Sequence, residues 1–217
     1  MENIQENLSS YDKNLKTKGS GCLGFALIGG IIGVIFIVLL LMGYFYYNGL
    51  VSREEKVNAQ WAQVENLYQQ RADLVNNLVS TVKGYATHEN KTLTEVTEAR
   101  AKATSLTISP DKLDESSLNA FEQVQQNLTT SLRQLLAVSE NYPDLKANQN
   151  FLMLQKQLQQ IETNIATERN KFNETARIYN TAIRKFPRNI FAGLFNFENK
   201  AYFKATEGAE KVPKVNF

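Results

Sequence analysis

The chemistry open to this 217-residue chain is limited by its one histidine, His88, and its one cysteine, Cys22. His88-Glu89 begins as the zinc motif HExxH does, but the second histidine one helical turn on is missing. Metalloprotease chemistry therefore has no support, and a solvated turn is expected there. The same scarcity removes an ordinary His/Cys zinc site and any Ser-His-Asp or Cys-His arrangement. One cysteine cannot form an intrachain disulfide. Glu162 and Glu168 lie in one helical stretch, and paired carboxylates inside a bundle can hold two metal ions. Such sites also draw on Glu-x-x-His pairs, however, and no histidine follows His88. The glycines between Gly19 and Gly49 fall in and around an apolar span, where they make no phosphate loop. Asn-x-Ser/Thr triplets at Asn7, Asn90, Asn127 and Asn173 are expected by chance from the abundance of Asn and Thr on helix surfaces. The sequence thus predicts no catalytic residue, no cofactor and no metal ligand. With 24 Lys plus Arg against 22 Asp plus Glu, the net charge of +2 is too small for a nucleic-acid-gripping surface.

The element that dominates the first part of the chain is apolar. From Cys22 to Tyr47 every residue is apolar, aromatic or glycine, longer than the ~20 residues needed to cross a hydrocarbon core. Residues 21–47 are read as a membrane-spanning helix behind a short polar tail, residues 1–20. A cleaved signal peptide would carry a shorter apolar region followed by small residues, whereas Tyr44, Phe45, Tyr46 and Tyr47 follow here as an interfacial aromatic belt. Lys13, Lys16 and Lys18 precede the span, and only Arg53 and Lys56 follow it closely. This bias predicts an inside N-terminus and an extracytoplasmic C-terminal domain. Gly29 and Gly33 form a GxxxG spacing, which offers a contact face between two spans and hence a homo-oligomer.

Beyond the span, glycine is rare and four prolines punctuate long helical patterns. Val57, Trp61, Val64, Tyr68, Arg71, Val75, Leu78, Val82 and Tyr85 alternate at four and three residues. The run Phe151, Leu154, Leu158, Ile161, Ile165, Glu168, Phe172, Thr175, Tyr179 and Phe186 does nearly the same. A shorter helix around Leu93 to Ala103 and another from Leu118 to Val138 lie between them. The fold class is all-α: a transmembrane helix followed by an antiparallel up-down bundle of about four long helices over residues 48–187. Each long seam has one charged interruption, so Arg71 and Glu168 are predicted to pair in the core, in a register that sets Leu78 against Ile161. The Gln-rich faces, including Gln123, Gln125 and Gln126, are read as solvated. Residues 188–217 form an aromatic and basic segment in which Phe191, Leu194, Phe195 and Phe197 offer a membrane or partner surface. The last helix is expected to return this segment toward the bilayer.

Specific strings point further: Tyr47-Asn48-Gly49-Leu50-Val51, Arg71-Ala72-Asp73-Leu74 with Asn77-Leu78-Val79, Val82-Lys83-Gly84-Tyr85-Ala86 with His88-Glu89, Tyr142-Pro143-Asp144-Leu145-Lys146-Ala147-Asn148, and Phe186-Pro187. From Tyr47 onward the chain resembles the LemA family, departing at Ala72 and Asn76 where many members carry a second arginine and a proline. The resemblance implies a bacterial single-pass membrane protein with an antiparallel helical domain, and some relatives are associated with organising magnetosome membranes. No biochemical activity comes with it. The expected function is a non-enzymatic, membrane-anchored scaffold or adaptor of the cell envelope, its partners the lipid bilayer, another envelope protein and a second copy of itself. A membrane-remodelling or lipid-contacting protein is the alternative, and an enzyme with an unrecognised site ranks third.

Overall fold

The computed structural model describes residues 2–204, with side chains from Leu27 onward. The side chains of Lys13, Lys16, Lys18 and Cys22, and the charges beyond Lys204, lie outside the described residues. Six α-helices follow in order: α1 (Glu2–Lys83), α2 (Asn90–Ser105), α3 (Glu115–Ser139), α4 (Pro143–Lys146), α5 (Gln149–Arg184) and α6 (Arg188–Leu194), with a single 3-10 turn at Pro110–Lys112 and no strand among the described residues. The chain divides into two compact units, Met1–Gly49 and Leu50–Phe217.

In the first unit α1 carries the apolar run. Its large side chains from Leu27 to Leu41 are about half exposed or more, and this helix is long and apolar enough to cross a membrane by length and composition. Glycine is tolerated in such a helix where it would weaken one in water.

The second unit is an antiparallel bundle built on α1, α2, α3 and α5. Its seams bury two clusters. One gathers Leu50, Val57, Trp61, Val64 and Tyr68 with Leu118, Phe121, Ile165, Phe172, Tyr179 and Ile183. The other gathers Val75, Leu78 and Val82 with Leu93, Val96, Leu128, Leu132, Leu135, Leu154 and Leu158. The α1 seam is buried at every position predicted from Val57 to Val82, Arg71 included. Tyr85 falls beyond the helix and is half exposed.

On α5 the predicted Phe151, Leu154, Leu158, Ile165, Phe172 and Tyr179 are buried and Ile161, Glu168 and Thr175 are half-buried. Ala176 and Ile183 join them, while Phe186, predicted to continue the seam, lies beyond the helix and is 80% exposed. Local chemistry sets the breaks. The Asp114 carboxylate caps α3 by accepting from the Ser117 amide at 2.8 Å, and Asn148 Oδ1 caps α5 by accepting from the Phe151 amide at 3.0 Å. α5 ends at Arg184, two residues before Phe186-Pro187.

Candidate interaction surfaces

Between the two clusters lies Arg71, 2% exposed. Its Nη1 donates to Glu162 Oε1 at 3.0 Å and to Thr129 Oγ1 at 3.1 Å, and its Nη2 donates to the side chain and the carbonyl of Gln125. The Tyr68 ring lies beneath the guanidinium at 5.0 Å. The predicted partner, Glu168, is elsewhere: it accepts from Gln60 Nε2 at 2.6 Å and from Lys171 Nζ at 2.7 Å, which hold its carboxyl below the usual range. The reason is register. Trp61 meets Phe172 with centroids 5.7 Å apart, and ten residues on from Trp61, ten back from Phe172, Arg71 meets Glu162. A pattern of charges along two helices does not reveal which turns face each other. Large rings in a shared cluster decide it, because misplacing them leaves a void. Gln125, read as solvated, is 6% exposed and buried as the amide that turns Arg71 toward α3.

The C-terminal segment is bound to α5 by two asparagines seven residues, or two turns, apart. Asn180 Nδ2 donates to Lys200 O at 2.8 Å while its Oδ1 accepts from Lys200 N at 2.9 Å. Asn173 repeats the pattern on Phe203, at 2.9 and 2.8 Å. Each amide thus satisfies both backbone groups of one residue, as a neighbouring strand would. Asn173, one of the glycosylation triplets, uses its amide nitrogen here. Phe203 then stacks on Trp61 at 6.0 Å, edge-on to Phe172 at 5.4 Å and under the Arg169 guanidinium at 4.5 Å. Lys200, 6% exposed, reaches Glu54 at 2.9 Å and the Pro110 carbonyl. The segment therefore packs into the bundle core through Ala192, Phe197, Lys200 and Phe203. The sequence offered little signal for these asparagines, since a helical Asn beside a buried Tyr179 looks like any polar position.

The chain reverses into that segment through the end of α6. Asn196 adopts φ 56°, Phe197 N donates to Ala192 O at 2.9 Å and Asn196 N to Gly193 O at 3.4 Å, the paired bonds of a left-handed helix stop. Of the residues predicted as a surface, Phe197 packs against the core and Phe191 is half-buried, so neither offers an open face. Leu194 and Phe195 are 70% and 42% exposed. The open apolar set is completed by Phe186 and by Ile190 at 59%. Gly29 and Gly33 lie on α1 with nothing within 4 Å of where a Cβ would stand.

A polar groove of about 910 Å³ runs between α3 and α5, lined by Arg71, Arg133, Arg169 and Lys204 against Glu122 and Glu162, with Asn119, Gln123 and Gln126 at its edge. Burial pushes the Glu122 carboxyl above its ordinary value although Arg169 opposes the shift. Within it Arg169 pairs with Glu122 and Arg71 with Glu162, and the remaining polar lining is largely amide.

An apolar helix able to span a bilayer, followed in the sequence by an antiparallel helical bundle, defines a class of helical proteins with an N-terminal candidate span. The chain belongs to the LemA family, whose model matches residues 60–217. It is 24% identical to the magnetosome protein MamQ 2 of Paramagnetospirillum magneticum over 94% of this chain and 80% of that one. It is 24% identical to the magnetosome protein MamQ of Magnetospirillum gryphiswaldense over 93% and 80%, and 26% identical to protein LemA of Metamycoplasma hominis over 80% and 78%.

Proposed function

We propose that the protein is a non-enzymatic, membrane-anchored adaptor of the bacterial envelope whose bundle presents the α3–α5 groove to another protein. The observation that carries this reading is the groove itself: Arg133, Gln123 and Gln126 are exposed along one face of α3 beside a rigid wall held by Arg71 and Arg169. Amides and guanidinium groups of this kind suit the backbone and carboxylates of a protein segment. A photo-crosslinking residue at Gln126 in intact membranes is expected to give one discrete protein adduct, weakened by Arg133→Glu. The same residue at Met153, exposed on α5 outside the groove, should give none. Equal labelling from both positions, or an adduct indifferent to Arg133→Glu, rejects the groove as the docking face. Self-association through Gly29 and Gly33 belongs to the same proposal, and Gly33→Leu should then abolish span-to-span crosslinking. A lipid-contacting role is the second reading, favoured by the exposed apolar residues around α6.

A further inference from the structure

An ordered segment that leaves large apolar side chains in water needs an occupant for that surface. Phe186 is 80% exposed, Ile190 59% and Leu194 70%. Ile190 and Leu194 stand one turn apart and so share a face of α6. Looseness does not explain the exposure. On either side, Ile183 is 6% and Ala192 3% exposed, both within the core cluster, and the left-handed stop at Asn196 locks the end of the helix. Arg184 and Lys185, both exposed, directly precede Phe186. Cationic groups beside protruding phenylalanine, isoleucine and leucine match the head-group region of a bilayer, where the charges meet anionic lipid and the apolar tips enter the acyl boundary. The chain also carries an uncharged apolar run from Cys22 to Tyr47, so a bilayer is the surface its own sequence supplies.

We infer that Phe186, Ile190 and Leu194, with Arg184 and Lys185, form a docking face for an anionic lipid surface. A second copy of the chain is the competing occupant. It is disfavoured by the two adjacent like charges, which a self-complementary interface would bring together. The inference rests on the membrane-anchored reading, though not on the groove.

The test uses the full chain, reconstituted with a fluorophore at Leu194→Cys in a Cys22→Ser background. The position is exposed, so labelling leaves the core intact. In vesicles of phosphatidylglycerol and phosphatidylcholine, nitroxide lipids labelled near the head group should quench the probe, and aqueous acrylamide should reach it poorly. A probe at Met153→Cys should behave in the opposite way. Arg184→Glu with Lys185→Glu should lower the lipid-quenched fraction by about tenfold or more, since each cation near an anionic surface is worth roughly a fivefold population ratio. The double variant should unfold with the wild type. A probe at 194 that stays open to acrylamide and untouched by nitroxide lipid overturns the inference. Shielding from both quenchers also overturns it, and shows that protein covers the face. Flotation with phosphatidylcholine vesicles alone separates the two levels: a chain that does not float has no membrane anchor, whereas one that floats with an unquenched probe loses the docking face only.

Discussion

Arg71 is the residue on which the two halves of the core depend, and its surroundings make the two sides of its ion pair unequal. Its side chain is 2% exposed and that of Glu162 is 40% exposed. Removing Glu162 leaves a guanidinium buried without a counter-charge. Removing Arg71 leaves a carboxylate that can turn to water. Glu162→Ala should therefore cost about 2–3 kcal/mol, somewhat below the penalty for breaking a fully buried pair. Arg71→Met keeps the volume, and should cost less than half as much in urea unfolding of the full chain in detergent. Glu168→Ala should cost at most about 1 kcal/mol, as a partly exposed pair does; a loss as large as that of Glu162→Ala would restore the Arg71–Glu168 pairing. Glu122 gives a pH-dependent counterpart. Burial raises its carboxyl, so the folded state favours the neutral form. The charge then costs stability above the unfolded carboxyl's value, and the cost disappears as pH falls below both values. Glu122→Gln should accordingly gain on the wild type between about pH 3 and pH 7. A stability difference flat across that range would show that the Arg169 pairing cancels the burial.

Among the elements, α5 carries the most, since one face packs the bundle and another holds the C-terminal segment. Asn180→Ala would strand the buried amide and carbonyl of Lys200, at about 1–3 kcal/mol for the unsatisfied groups. The more direct readout is trypsin. Lys200 is 6% exposed in the wild type, and cleavage there should appear in Asn180→Ala while the bundle helices stay resistant. Equal cleavage in both proteins would mean that the clamp does not hold the segment. The legibility of these elements follows from what a sequence pattern encodes. Apolar spacing gave the α1 seam from Val57 to Val82 correctly because one buried stripe runs along one helix. It misplaced Phe186 because the spacing was extended past the end of α5 at Arg184, where the chain leaves the helix. The Asn173 and Asn180 clamps were not legible at all, since their partners are backbone atoms and leave no residue type to recognise.

At the scale of the molecule, fold class and family were open to reading because both rest on long repeated patterns. The register was not, because the charged interruptions matched Arg71 with Glu168, whereas the register of the Trp61–Phe172 contact sets Arg71 against Glu162. Orientation is a property of the whole chain in its membrane. Three lysines precede the apolar run within the short tail, and Arg53 and Lys56 follow it closely, the bias on which our proposal of a bundle outside the cytoplasm rests. Protease added to intact spheroplasts should then remove the bundle, and protection until the membrane is permeabilised would reverse the assignment.

The cage around Trp61 has a consequence in time as well as in space. Its walls come from Phe121, Phe172 and Phe203, so a chain leaving the ribosome exposes the indole long before the last wall exists. The apolar run has by then emerged and can already engage a membrane. Closure over so long a sequence separation slows folding relative to a bundle held by local contacts. A nascent chain stopped short of Phe203 would be tethered but unfinished, and a chaperone or protease that senses exposed aromatic surface could distinguish it from a completed one.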